Sequence, residues 1–302
     1  MFKMISPPIL KKGDRIGIVA PARKIAERDL LVSFDIIRQN GYEVVFTDNL
    51  FAEENQFAGS DDLRANELQI MLDDDSVKAI MFARGGYGGV RIIDKIDFSK
   101  FVENPKWLIG YSDITVFHSH ISRNFSIQTL HATMPINFNE NDETALESLF
   151  NVLQGSLINV EFESNSLNRI GNTEGLLTGG NLSVLYSLLG SCSFPETDGK
   201  ILFLEDLDEY LYHIDRMMLG LKRAGKLENL SGLLIGGMTK MNDNDIPFGK
   251  TAEEIIREAV DEYNYPVYFG FPAGHIENNI ALVMGRKVSI IYDQQKNVYT
   301  LR

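Results

Sequence analysis

Short apolar runs alternate with longer amphipathic stretches along the first half of the chain, and that alternation predicts parallel strands joined by helices. Strands are expected at Arg15 to Val19, Tyr42 to Phe46, Val77 to Ala83 and Lys106 to Tyr111. The run AIMFA, residues 79 to 83, lacks the every-other-residue polarity of a sheet with one wet face, so such strands are read as covered on both faces. Between them the spacing predicts helices over Asp29 to Asn40, closed by Gly41, over Asp61 to Leu72, and after Ser112 in DITVFHSHISRNF. The expected class is α/β, with an open parallel sheet in the first half.

Beyond the apolar helix around Thr144 to Phe150 the texture changes. The polar segment ESNSLNRIGNTE, residues 163 to 174, reads as a linker or a connection between strands, and the domain boundary is placed there, giving units of 1–162 and 174–302. The second unit carries apolar runs at Ile201 to Leu204, Leu233 to Ile235, Val267 to Phe271 and Val288 to Tyr292. Leu211, Ile214, Met218 and Leu221 recur at helical spacing between about Tyr210 and Ala224. Thr251 followed by Glu254 is a capping-box signature that opens another helix. No internal repeat or low-complexity tract is seen.

Composition narrows the partners. The 29 basic and 42 acidic residues leave a net charge of −13, which repels nucleic-acid phosphates and anionic membrane surfaces. With 44% hydrophobic residues a core can be buried, and 302 residues suffice for one large or two ordinary domains at roughly 150 residues each. The single cysteine, Cys192, forms no intramolecular disulfide, and no Cys/His cluster has zinc-site spacing, so neither metal nor cofactor is expected. The stretch MFKMISPPILKKGD shows no export signal and no run approaches a membrane span, which points to the cytoplasm.

Three polar features fall just beyond the carboxyl ends of expected strands, where ligand sites of open α/β sheets collect. The first, ARGGYGG at residues 83 to 89, has four glycines whose N–H groups can face an anion or a developing oxyanion, or can simply make a tight turn. It lacks the lysine and hydroxyl residue of a phosphate loop, and the G-x-G-x-x-G dinucleotide spacing is absent. The second is GYSDIT, residues 110 to 115. Ser112 there is either a helix N-cap or a nucleophile, and Asp113, an equally good cap, would free it. Gly110 matches the start of a G-x-S-x-G elbow, but Ile114 stands at the second glycine. The third pairs FLED, with Glu205, and PAGHIENN, with His275. A serine hydroxyl needs an adjacent base oriented by a carboxylate, and Ser112, His275 and Glu205 can supply that set, although a structural role for His275 is equally open. His118, His120, His131 and His213 are read as structural, His131 near the cleft. Trp107, the only tryptophan, is read as core.

ARGGYG, IGYSDIT, TGGNLS, FLED and FPAGHIENN, in that order, resemble the LD-carboxypeptidase family of serine peptidases, which includes the microcin C self-immunity proteins. The resemblance runs from KGDRIGIVAPA to the strand after FPAGHIENN. It implies a flavodoxin-like N-terminal domain, a C-terminal domain of mixed β and α structure, and a Ser-Glu-His triad assembled in the cleft between them. It also implies homodimers and a cytoplasmic role in cell-wall recycling, removing the terminal D-alanine of a murein tetrapeptide at an L,D bond. On that basis Ser112 is the nucleophile, His275 the base and Glu205 its partner, with backbone N–H groups of Gly86 and Asp113 as oxyanion donors. Arg84, in the glycine turn with Gly85, would pair with the substrate carboxylate or brace the turn, and Asn181 would hold the peptide backbone. A peptidyl-nucleotide immunity peptidase and a non-catalytic small-molecule binding protein are the alternatives. The segment MNDNDIPFGKT, residues 241 to 251, reads as a loop near the cleft.

Overall fold

The computed structural model describes residues 4–157 and 159–302; Met1, Phe2 and Lys3, part of the stretch read for an export signal, and Ile158, inside the first expected domain, lie outside the described residues. The first half alternates as β1 (Arg15–Val19), α1 (Leu31–Gln39), β2 (Glu43–Val45), α2 (Asp61–Asp73), β3 (Val77–Phe82), α3 (Gly89–Ile92), α4 (Ser99–Glu103), β4 (Trp107–Gly110), α5 (Thr115–Phe125), β5 (Thr129–His131) and α6 (Glu143–Leu153). The four expected strands are β1 to β4, shortened by a residue at some ends. All pair in parallel, in the order β2-β1-β3-β4-β5. This is the flavodoxin-like order, with its topological switch between β1 and β3. Every residue of β4 and nearly every residue of β1 and β3 is buried, as expected of strands covered on both faces.

The second half contributes β6 (Val160–Glu163), β7 (Thr173–Asn181), α7 (Leu182–Ser187), β8 (Ile201–Leu207), α8 (Leu211–Arg223), β9 (Gly232–Thr239), α9 (Ala252–Ala259), β10 (Val267–Tyr268), β11 (Leu282–Met284), β12 (Lys287–Asp293) and β13 (Val298–Leu301). Its sheet is mixed, in the order β10-β9-β8-β7-β12-β13-β6, parallel from β7 to β10 and antiparallel beyond. The polar segment 163 to 174 connects β6 to β7. β11 crosses over, adding antiparallel to β5 at the edge of the first sheet. One apolar cluster runs from Leu108 and Phe117 through Leu182 and Leu204 to Ile256, so the two sheets share packing.

Local chemistry explains the ends. Ser60 caps α2 by accepting the Leu63 N–H at 3.2 Å. Thr251 and Glu254 form the expected capping box on α9, at 3.2 and 2.8 Å. The strand expected over Val267 to Phe271 stops at Tyr268 because the Asn168 side chain takes the Phe269 N–H at 2.8 Å and Gly270 turns the chain away with φ +79°. Trp107 is 1% exposed and its indole N–H donates to the Pro8 carbonyl at 2.9 Å, which makes it a core residue as expected.

Arg64 on α2 ties together the loops that follow β1 and β3. Its guanidinium is buried and donates to the carbonyls of Pro21, of Gly88 at 3.1 Å and of Gly59 at 3.3 Å, with Asp61 as its ionic partner. Arg64→Ala would strip the donor from the buried Pro21 and Gly59 carbonyls and leave Gly88 with the Arg91 N–H alone. A loss of about 2–4 kcal/mol in unfolding free energy is expected, read from the urea midpoint; an unchanged midpoint would show that water replaces the guanidinium without cost.

Candidate active site

β4 ends at Gly110, and the chain turns sharply. Ser112 takes a left-handed conformation, φ +64°, which costs a non-glycine residue of order 1–3 kcal/mol. It opens a 3-10 turn, Ser112–Ile114, that leads into α5, and Tyr111 occupies the N-cap position. No side-chain cap is made there. The cap reading of Ser112 therefore fails, and so does the expectation that Asp113 caps the helix in its place. The Asp113 carboxylate instead accepts the Gly89 N–H at 2.7 Å, tying the glycine loop to the serine turn. Burial pushes Asp113 up to about 6, against the opposing pull of the glycine N–H groups.

The glycine loop and the serine turn touch. A Cβ placed on Gly85 would lie 3.1 Å from Ser112 Cβ and 3.2 Å from its Oγ, so a side chain there would push the serine aside by a few tenths of an ångström. Gly86 is exposed and has φ +112°, and the Arg23 side chain lies against its Cα, with Cδ only 2.5 Å from where a Cβ would be.

Glu205, on β8, has no exposure to solvent. Its Oε2 is 2.6 Å from His275 Nδ1 and also accepts the His275 backbone N–H at 3.3 Å. Gly274 permits this: its φ is +107°, and a Cβ there would collide with the carboxylate at 2.8 Å. The Asn279 side chain accepts the Gly274 N–H at 2.8 Å, which gives the sequence GHIENN its shape. Complete burial disfavours the carboxylate, but the His275 charge and hydrogen bond outweigh it and hold Glu205 below its ordinary range. Burial likewise pulls His275 down, and the Glu205 charge and hydrogen bond more than reverse this, leaving the imidazole raised.

The Glu–His half of the expected triad is thus assembled. Tyr111, the chain neighbour of Ser112, lies against it, with its ring centroid 4.8 Å from that of His275. Among the described residues Ser112 Oγ makes no hydrogen bond; such bonds commonly tighten only with substrate in place. Arg84 is half-buried and donates one N–H to the Lys24 carbonyl at 3.0 Å, bracing the loop after β1. Asn181 is 4% exposed, and its amide is engaged within the fold: Nδ2 donates to Asp206 at 2.9 Å, while Oδ1 accepts the Val184 N–H at 3.1 Å and the Ser183 hydroxyl at 2.9 Å. Its role is to cap α7 and, through its own N–H to Thr115 Oγ1 at 3.0 Å, to join the two halves beside the site. Asp206, pushed up to about 7 by burial and by Glu205, buttresses that cap.

The other histidines do structural work. His118 bonds the Gly110 carbonyl at 2.8 Å and His120 the Ser193 hydroxyl at 2.8 Å, so they point apart; His213 pairs with Glu209. His131 is fully buried against Tyr111 and Phe203 and is kept neutral by desolvation, with its pKa near 3. Sequence reasoning passed over Tyr111 and Arg23. The signal for Arg23 was present, because VAPAR follows β1 as ARGGYG follows β3.

The sequence profile of the LD-carboxypeptidase N-terminal domain matches residues 16–132, and that of the LD-carboxypeptidase C-terminal domain matches residues 174–290. The chain belongs to the LD-carboxypeptidase family. It is a serine-type peptidase, a hydrolase. It is 34% identical over 293 residues to the "Probable murein peptide carboxypeptidase" of Bacillus subtilis, covering 94% of this chain and 91% of that one. It is 25% identical over 325 residues to the microcin C7 self-immunity protein of Escherichia coli, covering 96% and 93%. The crystal structure of muramoyltetrapeptide carboxypeptidase from Oxalobacter formigenes superposes with a TM-score of 0.86 at 25% identity, over 95% of this chain and 97% of that one. The two-sheet α/β architecture is that of the family.

A protonated His275 cannot accept a proton from Ser112. Because its pKa is raised, kcat/KM is expected to fall as pH drops through a midpoint above the ordinary histidine value of 6.5. Glu205→Gln removes the charge but keeps the burial, so the midpoint should move down while the plateau falls by about 10³- to 10⁴-fold. A pH–rate profile of both proteins checks this, and an unmoved midpoint would take Glu205 away from His275's titration.

Proposed function

We propose that this peptidase is a carboxypeptidase of the cytoplasm that removes the terminal D-alanine from murein tetrapeptides by cutting an L,D bond, as part of cell-wall recycling. In this reading two units, 1–162 and 174–302, flank the site, and the enzyme works as a homodimer, as the family resemblance implies. The observation that carries it is the buried Glu205–His275 pair at 2.6 Å together with a serine that is strained, uncapped and overlaid by a glycine loop.

Ser112 Oγ attacks the carbonyl carbon of the residue before D-alanine while His275, through its outer ring nitrogen, takes the hydroxyl proton. The carbonyl π pair moves to oxygen, and the oxyanion is met by the N–H groups of Gly86 and Asp113, each such donor contributing about 3–4 kcal/mol. Collapse breaks the C–N bond as His275 returns its proton to the leaving amine, giving free D-alanine and an ester on Ser112. Water, deprotonated by His275, then attacks the ester carbonyl; the bond to Ser112 Oγ breaks, His275 returns its proton to that oxygen, and the tripeptide leaves as its acid. Glu205 holds the imidazole with its Nδ1–H inward and stabilises it when charged. Every proton is accounted for by His275 and water, so the scheme requires no metal or cofactor. Asn181, by capping α7, orders the wall beside the site, and Arg84 beside Gly85 adds positive charge near the leaving group.

A peptidyl nucleotide is the alternative substrate class; the only tryptophan is core and offers no stacking surface, which leaves stacking to tyrosine or phenylalanine. A binding protein without chemistry would have no use for the strain at Ser112.

Mass spectrometry of muropeptides incubated with wild-type and Ser112→Ala protein tests the reading. Wild type should convert tetrapeptide to tripeptide with loss of one D-alanine, and the variant should be slower by at least about 10⁴-fold. D-alanine release by the variant at the wild-type rate would remove the nucleophile; faster turnover of a peptidyl adenylate than of the tetrapeptide would replace the substrate.

A further inference from the structure

Two arginines straddle the topological switch point of the first sheet. Arg23 leaves the carboxyl end of β1 and Arg84 the carboxyl end of β3, and these strands are parallel neighbours with Val19 opposite Phe82. Their loops interlock. Arg84 reaches the carbonyl of Lys24 at 3.0 Å, while the Arg23 side chain lies along Gly86 with its Nε 2.9 Å from where a Cβ would stand. The backbone of Arg23 is also fixed, through a bridge to Phe57 flanked by the Lys24–Gln56 and Ala58–Ala22 hydrogen bonds at 3.0 and 3.1 Å.

Among the described residues neither arginine is in hydrogen-bond or ion-pair contact with a carboxylate. The charges of Asp29 and Asp113 reach them from other engagements: Asp29, which offsets part of the Arg84 shift, accepts the Ala26 N–H at 3.2 Å and faces Arg28 at 3.7 Å, and Asp113 is buried on the Gly89 N–H at 2.7 Å. Burial, and then the like charge of Arg23, push the half-buried Arg84 guanidinium below its ordinary value. Two cations held side by side at a switch point, in a chain of net charge −13, form a site for an anion.

We propose that Arg23 is the residue that receives the C-terminal carboxylate of the peptide and thereby restricts cleavage to the last bond. The geometry of a peptide demands such a group close by. The terminal carboxyl carbon lies three bonds, under about 4 Å, from the scissile carbonyl carbon. That carbon must sit beside Ser112 Oγ, which the glycine loop overlies at Gly85, and Arg23 rests on the next residue, Gly86. Arg84 spends one N–H on Lys24 and contributes charge, whereas the Arg23 guanidinium, without a hydrogen bond or ion pair among the described residues, can bind a carboxylate through two N–H groups. The assignment rests on the carboxypeptidase reading above and names what makes the enzyme cut at the end of a chain.

The test compares one tetrapeptide as its C-terminal acid and as its C-terminal amide, with wild type, Arg23→Ala and Arg23→Lys, each checked by thermal melting. Arg23→Ala should lose about 10²-fold or more in kcat/KM on the acid and little on the amide, with Arg23→Lys in between. Equal losses on acid and amide would make Arg23 a structural residue and overturn the proposal, as would no loss on either. A parallel titration with N-acetyl-D-alanine and N-acetyl-D-alaninamide, followed by NMR, separates the clamp from the reaction. If wild type cuts neither peptide, the carboxypeptidase reading fails by itself. The clamp then stands only where the acid binds, the amide does not, and Arg23→Ala abolishes binding; absence of acid binding, or binding that survives the substitution, sinks it.

Discussion

A carboxylate shut off from water at the end of β8 is the constraint on which the site depends. Glu205 is fully buried, and an unpaired charge there would cost several kcal/mol. His275 supplies the partner, and bringing its ring and backbone N–H to one carboxylate oxygen requires the chain to cross directly over that oxygen. Only glycine at position 274 allows the crossing, and Asn279 holds the loop in that shape. The ion pair, the glycine and the asparagine are one solution to one burial problem. Its by-product is an imidazole fixed in one tautomer and raised in basicity, which is what a general base needs.

The first sheet meets a different demand, that of turning backbone tightly against backbone. Ser112 is held left-handed because Asp113, instead of relaxing into a cap, is latched to Gly89. The glycine loop is in turn hung from the buried Arg64, which also holds the loop after β1. Strain at the serine is thus sustained by interactions on both sides, as expected where a conformation is over-determined by its surroundings. The two demands are brought into register by packing shared between the sheets and by the Asn181–Thr115 hydrogen bond at 3.0 Å.

This arrangement has a consequence for reach. The glycine loop, the serine turn and the loop after β1 all rise from the carboxyl edge of one parallel sheet, so a group bound by Arg23 is held at a set distance from Ser112. In the proposed reading, a rigid ruler of this kind gives end-specific cleavage without a closed pocket. Bond choice then follows from where charge sits on the sheet edge, and the proposed triad can be generic.

Much was legible in the sequence because it is written locally. Buried parallel strands announce themselves as unbroken apolar runs, which is why β1, β3 and β4 were marked nearly to the residue, and capping at Thr251 needs only a hydroxyl and a carboxylate three positions on. Motif order singled out Ser112, Glu205 and His275, of which the fold pairs Glu205 with His275. Strands of other kinds were silent or cut short: β5 and β11 are three residues each, β7 ends in glycines, and β9, legible over Leu233 to Ile235, runs on through Gly236 and Gly237 to Thr239. Three-dimensional proximity was silent too. Ser112 or Asp113 as a cap was a sound local inference, undone by a glycine N–H 24 positions away in the chain. Arg23 and Arg84 are separated by two helices and two strands, and only the pairing of β1 with β3 makes them neighbours. The sequence by itself determined which residues can do the chemistry, because side-chain type and strand periodicity are local properties. The tertiary structure decided which of them face one another, because hydrogen bonds and buried charges are satisfied by whatever the fold brings within about 3 Å, at any separation along the chain.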